Sequence, residues 1–246
     1  MGIILRLPWL GCLSLGMPLT TGFVAALLFY AWERQDNQDP PFTTISEAGQ
    51  SGWSYVAYSL GTMLSAVLFL MTGCLFALLV NKWAENDWSH RRRWWVTRLI
   101  VFCTILHSLG LWMVGTFSYA YHGGIQCGWQ AREKHFDLWF MHNLGAGLVL
   151  GAMVPYLLAV AASLASLHSA GVVSWPRRFQ IMVASIFCGI VVLSVVSINE
   201  NAKGSPSLTL SICQYSLVLC IFLAQLLFLY SWCGCSIDIV LSKAEG

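Results

Sequence analysis

The chain has 246 residues, of which 57% are hydrophobic and 10% charged, against the roughly 25% charged residues of a soluble domain. Its mean hydropathy of +0.68 excludes an ordinary water-soluble fold. A net charge of +2, dispersed along the chain, gives no basis for nucleic-acid binding.

Six apolar segments account for the composition: 7–31, 55–81, 94–119, 138–166, 178–198 and 207–230. Each reaches the roughly 20 residues that a helix needs to cross about 30 Å of hydrocarbon. A helix satisfies its own backbone hydrogen bonds in lipid, so the segments predict an all-α, six-helix polytopic membrane bundle. The bundle fills residues 1–246 as a single membrane domain. The first segment is too long for a signal-peptide core and lacks a clear small-x-small cleavage site, so it is expected to stay.

The loop after the first span carries Asp39-Pro40-Pro41-Phe42, where two prolines favour extended backbone, and then Thr44-Ile45-Ser46-Glu47, which reads as a capped helix start. It is either a cover over the bundle or an ordinary connector. The second span contains Gly61-x-x-x-Ser65, a spacing that lets helices approach closely, and is followed by Lys82. Arg91-Arg92-Arg93 and Arg98 follow. With Lys82 they form a candidate contact for anionic phospholipids at about 1 kcal/mol per basic residue, although orienting the chain is a sufficient role for them. His107 lies mid-membrane in the third span and is expected to pair with another helix. The next loop offers His122, Cys127, Trp129, Arg132, Glu133, Lys134, His135 and Asp137. These include zinc-ligand types without a zinc-site spacing, so no metal is expected.

The fourth span opens with Asp137, His142 and Asn143 and contains Gly147-x-x-x-Gly151. Arg177 precedes and Arg178 opens the fifth span, at whose far end stand Asn199 and Glu200. Gln214 and Gln225 lie in the sixth. Cys233 and Cys235 follow it, either as palmitoylation candidates or simply as small residues finishing the helix around Gly234. Most of the other cysteines fall inside spans, where they act as small apolar residues. No Asn-x-Ser/Thr sequon occurs.

Nine Lys/Arg lie on one side (Arg6, Lys82, Arg91, Arg92, Arg93, Arg98, Arg177, Arg178, Lys243) and four on the other. The nine-residue side is therefore expected to be cytoplasmic, with both termini inside. Trp9, Trp32, Trp53, Trp83, Trp94, Trp95, Trp139, Trp175 and Trp232 fall near predicted helix ends, as interfacial belts require, and Trp112 does not. On the outer side His142, Asn143, Glu200 and Gln214, with Glu47 from the loop, are candidates for one polar pocket. It would suit a lipid head group, or the same residues could simply bond helix to helix. No nucleophile–base triad, P-loop, dinucleotide fingerprint or paired-carboxylate motif is present. The chain thus reads as non-enzymatic and cofactor-free, with membrane lipids as partners and a cytosolic protein contact through the 82–93 loop or the C-terminal tail.

Four stretches, in order, carry a family resemblance: Pro41-Phe42-x-x-Ile45-Ser46-Glu47-x-Gly49, Gly110-Leu111-Trp112-Met113-Val114-Gly115-Thr116-Phe117, His142-Asn143-Leu144-Gly145-Ala146, and Gln214-Tyr215. On a six-span frame they resemble the DRAM family (damage-regulated autophagy modulators), whose superfamily includes phosphatidylinositol 4-kinase scaffold and GPI-anchor lipid-remodelling proteins. Gln50-Ser51-Gly52-Trp53 stands where autophagy-branch relatives carry a Pro-Glu-Cys-like element, and the interval from Phe117 to His142 is longer than is usual in the family. The resemblance implies a role in autophagy and lysosomal regulation, in membrane lipid organisation or in phosphoinositide-kinase anchoring. Its alternative is GPI-lipid remodelling at the outer pocket. The compartment would be endomembrane (lysosome, endosome, Golgi or ER) or plasma membrane.

Overall fold

The structure is a computed structural model, and it describes residues 2–28, 30–31, 52–117, 136–173, 175–202, 208–230 and 236–240. Six helices form: α1 Leu7–Leu28, α2 Gly52–Trp83, α3 His90–Thr116, α4 Phe136–Ser169, α5 Arg177–Ala202 and α6 Leu208–Tyr230. Among the described residues, five of them (α2 to α6) are long and apolar enough to cross a membrane. The 22 residues of α1 contain no charge and rise about 33 Å. Several helices run past their apolar spans: α2 begins three residues before the expected 55, and α4 ends three residues after 166. The bundle is all-helical, and the protein is a multi-pass membrane protein.

One element was not anticipated from the hydropathy pattern. Strand β1 (Gly2–Arg6) pairs antiparallel with β2 (Ser236–Val240), with Ile3 opposite Ile239 and Leu5 opposite Ile237. The ribbon joins the two chain ends at one end of the bundle.

The helices pack around the bundle in the order α5, α6, α1, α2, α3, α4, each resting on the next. Helices α4 and α5, although consecutive in the chain, are the loosest neighbours in this arrangement. Lipid is as apolar as leucine, so small and hydroxyl-bearing residues face inward and large aliphatics face out. Helix α2 shows this division. Ser54, Tyr58, Gly61, Ser65, Phe69, Thr72, Phe76 and Val80 form a buried stripe, whereas Leu60, Leu64, Val67, Met71 and Leu78 are exposed. The buried hydroxyls turn back on their own helix: Ser65 donates to the Gly61 carbonyl (2.6 Å), Thr62 to that of Tyr58 (2.8 Å) and Thr104 to that of Ile100 (2.7 Å). This local bonding lets a polar side chain sit at a dry interface.

The expected approach at Gly61-x-x-x-Ser65 is present, since a Cβ on Gly61 would run into Thr21 of α1. The approach expected at Gly147-x-x-x-Gly151 is not. Both glycines are exposed, and nothing lies within 4 Å of where their Cβ atoms would stand. The contact is made by Gly145 instead: a Cβ there would meet Met113 Cβ at 2.8 Å, and one on Gly110 would lie 2.6 Å from the Gly145 carbonyl oxygen. Two residues rotate a helix by about 200°, so Gly147 faces nearly opposite to Gly145.

Candidate functional site

The sequence offered two sites, one at each end of the bundle. Helices α3 and α4 are joined by two histidines acting in opposite directions, His142 at one end of the bundle and His107 nearer its centre. His142 of α4, 2% exposed, donates from Nδ1 to the carbonyl of Phe117 at 2.9 Å. His107 of α3 donates from Nδ1 to the carbonyl of Val149 at 2.9 Å. A carbonyl only accepts, so Nδ1 carries the hydrogen in both rings. The glycine crossing Gly110–Gly145 lies between the two bonds. Phe117 is the C-cap of α3, where carbonyls have no partner within the helix, and His142 supplies one. The pairing expected of His107 with another helix is thus made. Its ring also stacks near Phe69 (4.3 Å between centroids), which in turn meets Tyr156.

The remaining pocket candidates lie on separate helices. Asn143, Glu200 and Gln214 are half-buried, on α4, α5 and α6 respectively. Glu47 lies outside the described residues, as do Cys233, Cys235 and the loop holding His122, Cys127 and His135. Cys213 carries a free thiol.

The opposite end is built on the turn 84–89 between α2 and α3. Ser89 caps α3, its hydroxyl accepting from the Arg92 N–H at 3.3 Å. Trp88 folds inward and donates from Nε1 to Ser166 Oγ of α4 (3.1 Å). Arg92 lies over the Trp88 ring (4.2 Å from Cζ to centroid) and donates to the same Ser166 oxygen at 3.2 Å. Arg93 faces Glu85 at 3.9 Å. Arg98 lies over the Trp94 ring at 3.7 Å, and Trp94 meets Trp95 edge-on at 4.7 Å. Of the five basic residues expected to contact lipid, three are therefore held by the protein. Lys82 and Arg91 are exposed and, like Arg177, have no hydrogen bond, ion pair or ring contact among the described residues.

The neighbouring turn after α4 is equally defined. Gly171 adopts φ +77, and bonds from Val172 N–H to the Leu167 carbonyl (2.9 Å) and from Gly171 N–H to the His168 carbonyl (3.0 Å) close the helix in a Schellman motif. His168 Nδ1 accepts from the Trp175 N–H at 3.1 Å. Trp175 is 1% exposed and packs against Phe228, so it serves as a core residue and not, as its position suggested, as an interfacial one. Trp94 and Trp95 are exposed near the start of α3, and Trp112 is exposed towards its other end.

Sequence reading missed the part played by Ser166, which looked like a mere span limit. The available signal was Trp88, a large apolar residue inside a charged turn that had to bury itself somewhere. Replacing Ser166 with alanine removes the shared acceptor of Trp88 and Arg92, and is expected to cost about 1 kcal/mol and to speed proteolysis at the 84–89 turn. An unchanged cleavage rate would show that the turn is held without it.

The profile of the Frag1/DRAM/Sfk1/Cwh43P N-terminal domain matches residues 7–232, from the first residue of α1 to just beyond α6. No curated protein and no solved structure matches the chain. The matched region contains the glycine crossing, both histidine bonds and the basic turn, and the chain belongs to the Frag1/DRAM/Sfk1/Cwh43P family.

Proposed function

We propose that the protein is a non-enzymatic membrane organiser whose basic end faces the cytosol and gathers anionic lipids and a cytosolic partner. Membership of the family supports autophagy and lysosomal regulation, or phosphoinositide-kinase anchoring, as the proposed context of that role. One observation supports this reading over GPI-lipid remodelling. His142, the strongest candidate for chemistry at the other end, is buried and engaged in capping α3, whereas Lys82 and Arg91 are exposed and unpaired among the described residues.

Two measurements test it. Asp87→Cys, in the exposed part of the turn, is expected to react with a membrane-impermeant maleimide once the plasma membrane of the cell is opened and organelle membranes are left intact, above the background of the unsubstituted chain. Labelling of intact cells, or labelling that also requires organelle membranes to be opened, would reverse the orientation and end the proposal. GPI-lipid composition is expected to be unchanged by His142→Ala at matched protein levels. An altered composition would favour the remodelling reading. Steady-state location of the protein then chooses among contexts, with lysosome or endosome favouring autophagy, plasma membrane favouring kinase anchoring, and ER or Golgi favouring remodelling.

A further inference from the structure

We infer that the basic end holds a seat for the phosphate of an anionic phospholipid between Lys82 and Arg91, and that Arg92, Arg93 and Arg98 brace this seat without contacting the lipid. The inference rests on the lipid-gathering reading above and assigns its contact residues.

The first argument is depth. Trp94 and Trp95 are exposed on α3, and exposed tryptophans mark the boundary between acyl chains and head groups. Arg91 precedes them by three and four residues, so its backbone lies about 4.5–6 Å farther out, at the level of lipid phosphates. Arg98 lies a turn deeper, and its guanidinium is drawn along the Trp94 ring towards the surface. It lines the approach and is already stacked.

The second argument is availability. Arg92 is shared between the Trp88 ring and Ser166, and Arg93 faces Glu85. Rotating either away breaks a contact that defines the turn. Lys82 is the penultimate residue of α2 and Arg91 the second of α3, on helices packed side by side and joined by only six residues, 84–89. Packed helix axes lie about 8–10 Å apart, a gap that two long cationic side chains can close around one phosphate. Neither cation has another partner among the described residues. Eight Lys/Arg stand at this end in the described segments (Arg6, Lys82, Arg91, Arg92, Arg93, Arg98, Arg177 and Arg178) against Glu85, Asp87 and Asp238, so an anion is favoured there over a zwitterion.

The test uses the purified full-length protein in micelles doped with phosphatidylserine or with phosphatidylcholine, and lipid retention read by native mass spectrometry. Soluble inositol phosphate forms a third arm. Phosphatidylserine is expected to be retained over phosphatidylcholine. Lys82→Gln and Arg91→Gln should each lower its retention about fivefold, and together about thirtyfold. Arg92→Gln and Arg93→Gln should leave retention within about twofold while lowering the melting temperature. Restoration by Lys82→Arg with Arg91→Lys would show that the double variant lost charge and not fold. Equal losses from all four positions would overturn the seat in favour of diffuse attraction, and soluble inositol phosphate retained as well as the lipid would make it a site for free phosphate. The measurement is made in micelles and does not depend on orientation, so outside labelling at residue 87 would end the functional proposal while leaving the seat intact.

Discussion

Gly110→Ala is expected to disrupt the α3–α4 pair, whereas Gly151→Ala should be silent. The new methyl at residue 110 would stand 2.6 Å from the Gly145 carbonyl oxygen and 2.7 Å from the Val149 nitrogen. Both are main-chain atoms of a neighbouring helix and cannot rotate aside. Relief requires the helices to separate, which would also pull at the histidine bonds on either side. Overpacking usually costs about 1–3 kcal/mol, and a backbone-on-backbone contact belongs at or above the upper end. In detergent that corresponds to a drop of about 6–12 °C in Tm for a chain of this size. Residue 151 has open space around it. Equal melting temperatures for the two variants would refute the crossing.

The two histidine bonds are expected to be unequal, although their lengths are the same. Val149 lies inside α4, so its carbonyl keeps a helical partner when His107 is replaced by leucine. The loss should be close to the average of about 0.6 kcal/mol measured for hydrogen bonds between membrane helices. Phe117 closes α3, and its carbonyl has no successor in the helix. His142→Ala leaves that oxygen without the ring, at a cost of about 1–3 kcal/mol. The larger fall in Tm is therefore expected from His142→Ala. A larger fall from His107→Leu would mean that the centre of the bundle, and not the cap of α3, depends on histidine.

The parts of the architecture that follow from hydropathy were legible. Long apolar runs in lipid have only the helix available to them, and all six segments are helical. The site was legible only as composition. Histidine at residue 142 and glycine at residue 145 stood out as residues, but a sequence does not state the rotation of one helix against another. That rotation makes Gly145 the contact and leaves Gly147 and Gly151 exposed. The Arg91–Arg93 run likewise looked uniform. Its members differ because Trp88 turns inward and takes Arg92 with it, a distinction decided by Ser166, more than 70 positions along the chain. The β1–β2 ribbon escaped notice because five-residue strands at opposite ends carry no local signal of each other.

The order of helices around the bundle bears on how the protein is made. As the chain enters the membrane, α2, α3 and α4 can each settle on the helix before it. Helix α5 does not continue this series: it leans on α6, and α6 returns to α1. One flank of α1 must therefore stay covered only by lipid until the α5–α6 hairpin has been synthesised. Assembly of these six helices is completed by a closure, not by one more addition, and a chain stalled after α4 would present that uncovered flank to the quality-control machinery of the membrane.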